Sequence, residues 1–252
     1  MQLTLDGRSP IDISIDILRE FEPEVGYYGA FSGGKDSVAM KRLVEMSGVK
    51  CDWHYSMTTI DPPELTRFMK REHPDVEWHV PEKTFFQMVR EKGMPLRNSR
   101  WCCSKLKEVG GVGRHVLLGI RAQESRSRAK RGVFAPCTTK HRWFISPIFY
   151  WTETEVWDFI HSEGLPYCRL YDEGWSRLGC VVCPFEERVA ESMARWPTLY
   201  RCMREAMTDR WHVNERMQEL WATPDAMWYW WIARDQAYPK PDAEKPPALS
   251  FE

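Results

Sequence analysis

The sequence predicts an α/β fold, an open parallel sheet flanked by helices, with a helical C-terminal extension. Two observations carry this expectation. Short apolar runs bounded by turn residues alternate with helix-period segments up to about residue 162, the pattern of parallel strands joined by helical crossovers. From about residue 186 the strand pattern gives way to helical segments rich in Met and Trp. A chain of 252 residues with 43% apolar side chains can bury a substantial core.

The elements follow in order. Residues 25–31, VGYYGAF, read as a strand, SGGKDS as a tight turn, and SVAMKRLVEM as a helix with Ala39, Met40, Leu43 and Val44 on one face. CDWHYSM (51–57) reads as a second strand. It leads to a helix in which Asp61 is the expected cap, prolines fill the first turn, and Leu65, Phe68 and Met69 form the buried stripe. VEWHV (76–80) and KTFFQMVREKG repeat the strand-helix unit, and HVLLGI (115–120) has the continuous apolar character of a strand buried on both faces. WFISPIFYW supplies another short strand before Thr152 and Glu155, which stand in capping-box spacing ahead of Val156, Phe159 and Ile160. The expected organisation is an α/β domain over 1–185, a helical extension over 186–235 and a proline-rich tail over 236–252.

Thirty-five basic against thirty-six acidic side chains give a net charge of −1, which excludes a polyanion binder that works by bulk charge. The absence of an eighteen-residue apolar run and of a signal-peptide pattern predicts a soluble, cytoplasmic protein without a membrane partner. Eight unevenly spaced cysteines do not suit a disulfide scaffold, and clustered thiols in a reducing compartment more often bind metal or do chemistry. Most of the thirteen tryptophans follow residue 140. Trp228, Trp230 and Trp231 are expected to fill helix contacts rather than to stack bases.

The turn SGGKDS lacks the four-residue spacer of a Walker A loop, so it grips phosphate differently. Gly33 and Gly34 remove Cβ atoms so that backbone N–H groups can approach an anion, and the following helix adds its positive dipole end. Ser32 and Ser37 offer hydroxyls and Lys35 a mobile positive charge. Asp36, a carboxylate beside bound phosphate, is expected either to orient Mg²⁺ or to hold the loop together. Two further pairs stand out. RWCCSKLK supplies Cys102 and Cys103, and GCVVCP supplies Cys180 and Cys183. Four thiolates suit zinc, but adjacent cysteines are awkward ligands for one small ion, whereas the corners of a cubane cluster lie farther apart. Lys105 and Lys107 stand near enough in sequence to offset cluster charge. Cys51, Cys137, Cys168 and Cys202 lack ligand spacing.

Ser32-Gly33-Gly34-Lys35-Asp36-Ser37 after a strand resembles the PP-loop of the adenine nucleotide alpha-hydrolase-like superfamily. GIRAQESRSRA (119–129), SPIFYWTETEVWDFI and GLPYCRLYDEGWSRLGCVVCP resemble later blocks of its phosphoadenosine phosphosulfate (PAPS) reductase family, so the likeness runs from about residue 25 to 185. The resemblance implies a Rossmann-like nucleotide-binding fold and a ligand that is ATP or an adenylyl sulfonucleotide. It implies nucleotide contacts from the loop, Asp61, Arg121, Arg126 and Arg128, with Lys35, Asp36 and Arg121 as the catalytic set. Guanidinium groups suit phosphate or sulfate oxygens. The CC…CxxC pattern is that of the 4Fe–4S cluster in the family's adenylyl-sulfate reductase branch.

The resemblance breaks at the Glu-Cys-Gly-Leu-His segment that carries the catalytic thiol of assimilatory reductases, because the last cysteine here is Cys202 in LYRCMREAM. A neighbouring branch fits better: cluster-bearing ATP pyrophosphatases such as those of DNA phosphorothioation. The expectation is therefore an ATP-using, iron-sulfur-dependent sulfur-transfer enzyme with Mg²⁺, a sulfur donor protein or reductant as partner, and a nucleic acid among the candidate acceptors. The alternatives are adenylyl-sulfate reduction with a partner-supplied thiol, or a non-catalytic nucleotide-binding subunit. Self-association is left open.

Overall fold

The computed structural model describes residues 7–138 and 141–233; the expected tail over 236–252 lies outside them. Among the described residues, 7–57, 63–80 and 109–178 form one compact unit, and 58–62, 81–108 and 179–233 form a second.

The first unit is built on a six-stranded sheet of order β3-β2-β1-β4-β6-β5. Its strands are β1 (Tyr27–Ala30), β2 (Cys51–Ser56), β3 (Glu77–His79), β4 (His115–Leu117), β5 (Phe134–Cys137) and β6 (Arg142–Ile145). All neighbours pair in parallel except β5 with β6. The chain first grows outward from β1 through β2 to β3, then returns to place β4 on the other flank of β1. The order therefore reverses between β1 and β4. In open α/β sheets ligands sit beyond the carboxyl ends of the strands at such a reversal.

The apolar runs became strands as expected, with two differences. β4 stops at Leu117 rather than 120, because the Leu118 N–H still reaches Ile145 while the Ile120 N–H turns back to Leu118. β5 lacks an apolar run, and its Pro136 cannot donate to a ladder; it is accommodated at the sheet edge, where such a donor is dispensable. Helix α1 (Pro10–Glu20), which the sequence reading passed over, starts with a capping box between Ser9 and Asp12. Ser14 within it is fully buried, and its hydroxyl accepts from the Trp151 indole at 2.9 Å.

Helix α2 (Lys35–Ser47) buries Val38, Ala39, Met40, Leu43 and Val44 and ends at Gly48, whose φ of +75° closes the last turn without a Cβ penalty. It packs against α1 and α6 (Glu153–Ser162). Helix α3 (Pro63–Glu72) presents Leu65, Phe68 and Met69 inward as expected. The Asp61 cap is a correction. Its carboxylate turns back to accept the Thr58 N–H at 2.8 Å, and the helix opens two residues later at Pro63. The Thr152–Glu155 capping box of α6 is present as expected. A short helix α5 (Arg126–Ala129) follows β4.

The second unit is helical. Helix α4 (Phe85–Lys92) packs on α8 (Pro197–His212), and α8 also meets α7 (Val189–Arg195), α9 (Glu215–Leu220) and α10 (Pro224–Ile232). Phe85, Val89, Tyr200, Met203, Met207 and Met227 fill the contact, each stabilising by about 1.5–3 kcal/mol relative to an exposed position. Trp228 and Trp231 are buried as expected, and the Trp231 indole donates to the Pro95 carbonyl at 2.9 Å. The segment carrying Cys180 is tied in by the Val181 N–H on Ile60 O, and Thr59 Oγ1 accepts from the Phe85 N–H.

Candidate functional site

The glycine turn sits at the sheet reversal of the first unit, between the carboxyl end of β1 and the first turn of α2. Gly33 has φ +71°, and a Cβ there would lie 2.6 Å from Met69 Cγ and 2.9 Å from Leu65 Cδ1, so only glycine lets the loop lie on α3. Ser37 Oγ donates to Gly34 O at 2.8 Å and accepts from the Ser32 N–H and hydroxyl at 3.3 and 3.2 Å. The two serines thus brace the loop across its own width. The Lys35 N–H is taken up by Tyr171 Oη at 2.9 Å. Burial raises the Tyr171 phenol well above its ordinary range, so it stays protonated with a hydrogen left to donate.

Lys35 is buried, yet its ammonium is not apolar-bound: it donates to Ser176 O at 3.0 Å and lies 3.3 Å from Glu153 and 3.8 Å from Asp36. Buried cations persist only with such partners. Arg121, 3% exposed, reaches the loop from the β4 side, its Nε donating to Asp36 Oδ1 at 2.5 Å. Its own turn is fixed by Glu124 on the Arg121 N–H and by Gln123 on Nη1. Gln123 Oε1 also accepts the Glu153 N–H at the start of α6. Asp36 is therefore a member that holds the loop to Arg121.

Gly119 makes this approach feasible. A Cβ there would stand 3.0 Å from the Asp36 carbonyl carbon and 3.2 Å from the Ser37 nitrogen, so the strand-end backbone lies directly on the first turn of α2. Gly119, Glu153 and Tyr171 are the site residues that sequence reasoning missed. A glycine ending an apolar strand was the one available signal, for Gly119. Of the three expected arginines, Arg121 reaches the loop; Arg128 pairs with Glu124, and Arg126 is exposed on α5. The arrangement offers an anion the N-terminus of a thirteen-residue helix, a buried ammonium, a buried guanidinium and small residues that allow close approach.

The four expected ligand cysteines gather in the second unit. Cys102 feels the charges of Cys103, Cys180 and Cys183, and shares a hydrogen bond with Cys103 that pushes Cys102 up and draws Cys103 down. Lys107 and Arg100 add to the lowering at Cys103. The Lys107 ammonium lies against Cys180 and near Asp61, and the negative charge these groups carry when ionised holds the lysine in its charged form. Burial raises the Cys180 thiol, while Lys107 and Thr58, 3.5 Å away, act against that. Both lysines are exposed along their length, but it is the Lys107 ammonium that meets the thiols. The segment Cys103–Lys107 winds as a π-helix, which closes with the Glu108 N–H on Cys103 O. Asp61, expected at the nucleotide, belongs with the thiols.

The spacing bears on which metal group the residues fit. Four thiolates on one zinc ion at about 2.3 Å would lie roughly 3.8 Å apart. Among the described residues, the one group of three or more His, Cys, Asp or Glu donors within 4.8 Å of one another is elsewhere, so although Cys102 and Cys103 touch, no three of these thiols come that close together. Together with the two basic side chains beside them, that fits a cubane cluster better than a single ion. Of the other cysteines, Cys51 is pushed up to about 12 by burial and Cys168 is buried and raised, as suits packed thiols.

The family model described as phosphoadenosine phosphosulfate reductase domain matches residues 27–186. An uncharacterized protein of Methanocaldococcus jannaschii is 31% identical over 177 residues, 63% of this chain and 36% of its own length. An adenosine 5′-phosphosulfate reductase of Staphylococcus haemolyticus is 31% identical over 48% of this chain and 54% of its own. The chain thus spans between a third and rather more than half of these curated relatives. In fold it is similar to the PAPS reductase of Candida auris solved as a phosphate complex, with a TM-score of 0.51 and 16% identity over 71% of this chain and 97% of that one.

Proposed function

The chain belongs to the phosphoadenosine phosphosulfate reductase domain family, and from that premise we propose that it is an enzyme that binds ATP in the SGGKDS loop and spends it in iron-sulfur-dependent sulfur transfer. The observation that carries this reading is the convergence of Lys35, Asp36 and Arg121 on the loop at the sheet reversal. ATP would arrive as its magnesium complex. Lys35 would exchange Ser176 and Glu153 for phosphate oxygens, and Arg121, held at Asp36, would face the same charge. An acceptor oxygen attacks the alpha-phosphate, pyrophosphate leaves, and a sulfur nucleophile then displaces AMP from the adenylated acceptor. Catalysis by these residues is positioning and neutralisation of phosphate charge.

Cys102, Cys103, Cys180 and Cys183 would hold a 4Fe–4S cluster, which when bound supplies sulfur-ligating and electron-transfer chemistry. Lys107 and Arg100 would offset its negative charge, and Thr58 would hydrogen-bond the Cys180 sulfur. A second reading, reduction of adenylyl sulfate to sulfite and AMP with two electrons from an external dithiol, draws support from the Staphylococcus relative's name.

Alpha-labelled ATP incubated with anaerobically prepared protein and candidate DNA, RNA and small-molecule acceptors separates the two. AMP and pyrophosphate formed in equal amounts, dependent on one acceptor, are expected. Sulfite from adenylyl sulfate plus thioredoxin, with no turnover of ATP, would replace the first reading by the second. Tight nucleotide binding with neither turnover would leave a binding subunit.

A further inference from the structure

The group of closely spaced donors set apart above is His54, Glu77 and His79, on β2 and β3 at the edge of the sheet. None of them belongs to the nucleotide loop or the thiol group. The parallel register sets His54 opposite Glu77 and Ser56 opposite His79. Residues two apart on a strand share a face, so Asp52, His54, Glu77 and His79 line one face of the sheet edge, beside Tyr28, which pairs with Asp52.

The arrangement is supported from behind. The His54 ring lies flat on Tyr28, with centroids 4.0 Å apart and planes within 6°. Its Nε2–H donates to Asp52, which Arg114 holds through an ion pair with Nη1 at 2.7 Å. A carboxylate paired with arginine only accepts, so the ring hydrogen of neutral His54 is on Nε2 and its Nδ1 carries a lone pair. That lone pair faces His79 Nε2 at 2.9 Å and Glu77 Oε2 at 3.4 Å. Donors bound at about 2.0–2.1 Å to one tetrahedral ion lie about 3.3 Å apart. A carboxylate that takes the second ring hydrogen is the common support of a metal-bound imidazole.

We infer that His54, Glu77 and His79 form a binding site for a divalent transition-metal ion of the zinc class, with Asp52 as the residue that orients His54. Two imidazoles and a carboxylate suit such an ion better than magnesium or calcium, which prefer oxygen donors. The side chain of His54 is 10% exposed while those of His79 and Glu77 are 37% and 67% exposed, so the site has a fixed inner ligand and an open outer side through which the ion enters. Three protein ligands leave a fourth position for solvent. The ion would fasten the three-residue strand β3 to its neighbour.

Zinc alone is the probe. Chelator-treated full-length protein is titrated calorimetrically beside His79→Ala, Glu77→Gln and Asp52→Asn, with folding checked by circular dichroism. His79→Ala is expected to lose one zinc equivalent and Asp52→Asn to bind that equivalent about 10–100-fold more weakly. Cobalt(II) distinguishes this site from the cysteines: the equivalent lost in His79→Ala must lack thiolate charge-transfer absorption. Equal zinc stoichiometry and affinity in wild type, His79→Ala and Glu77→Gln would overturn the inference, leaving a hydrogen-bonded histidine pair. Anomalous scattering from zinc-soaked crystals with no peak among the three side chains would do the same.

Discussion

Gly119 shows how one missing methyl group bears on a binding loop. Gly119→Ala would press a Cβ to 3.0 Å from the Asp36 carbonyl carbon, a neighbour that is backbone and yields little. The expected cost is about 1–3 kcal/mol of stability, together with weaker nucleotide binding measured by equilibrium dialysis; unchanged affinity would separate the strand end from the loop. His73 gives a second test. It is 6% exposed, its Nε2 has no hydrogen-bond partner among the described residues, and burial, with Lys41 nearby, lowers its pKa to about 4. The fold thus disfavours the protonated ring. Its contribution to stability is intact above the unfolded value near 6.5 and is lost as the pH falls towards 4. Urea unfolding should show about 2 kcal/mol less stability at pH 5 than at pH 7 from this group, and His73→Gln should flatten that difference. At this scale the loop and the cysteine pairs were legible because their chemistry is contiguous. Gly119, Glu153, Tyr171 and His54 were not, since each acts on a partner far along the chain.

Element boundaries were readable where a local signal set them. The capping box at Thr152 did so for α6, and it also fixes where Glu153 stands: its N–H meets Gln123 and its carboxylate meets Lys35. Thr152→Ala should therefore cost about 1 kcal/mol in thermal or urea unfolding and also raise the Kd for ATP. A stability loss without change in Kd would mean that the first turn of α6 is not coupled to the loop. Edge strand β5 was missed because an edge can use a proline and alternate its burial without an apolar run. The expected strand over 115–120 was too long because apolar residues at its end turn away as Gly119 meets α2. Asp61 shows the converse error. A residue well placed in sequence to cap α3 turns backwards, because the Thr58 N–H offers a partner and the chain there belongs with the thiols.

At the scale of the molecule, the thiol group joins segments that are far apart in sequence, 58–62, 81–108 and 179–233. Metal binding that links such segments contributes to folding. If the four cysteines hold the proposed cluster, removing it with chelator and oxidant should increase hydrogen exchange over 81–108 and 179–233 and leave the β1–β4 core protected; uniform protection after that treatment would count against a cysteine-held cluster. No helix among the described residues is long and apolar enough to cross a membrane.

The interleaving of segments also bears on how this protein can be cut. The family match ends at 186, before α8, the helix on which α4 packs, has begun. A chain ended there would keep all four candidate ligand cysteines and every loop residue, yet strip Phe85 and Val89 of the helix they pack on. Expressing that fragment would produce an intact motif on an exposed apolar surface. Trimming to the recognisable domain would favour aggregation, and the useful C-terminal limit for expression lies beyond α10.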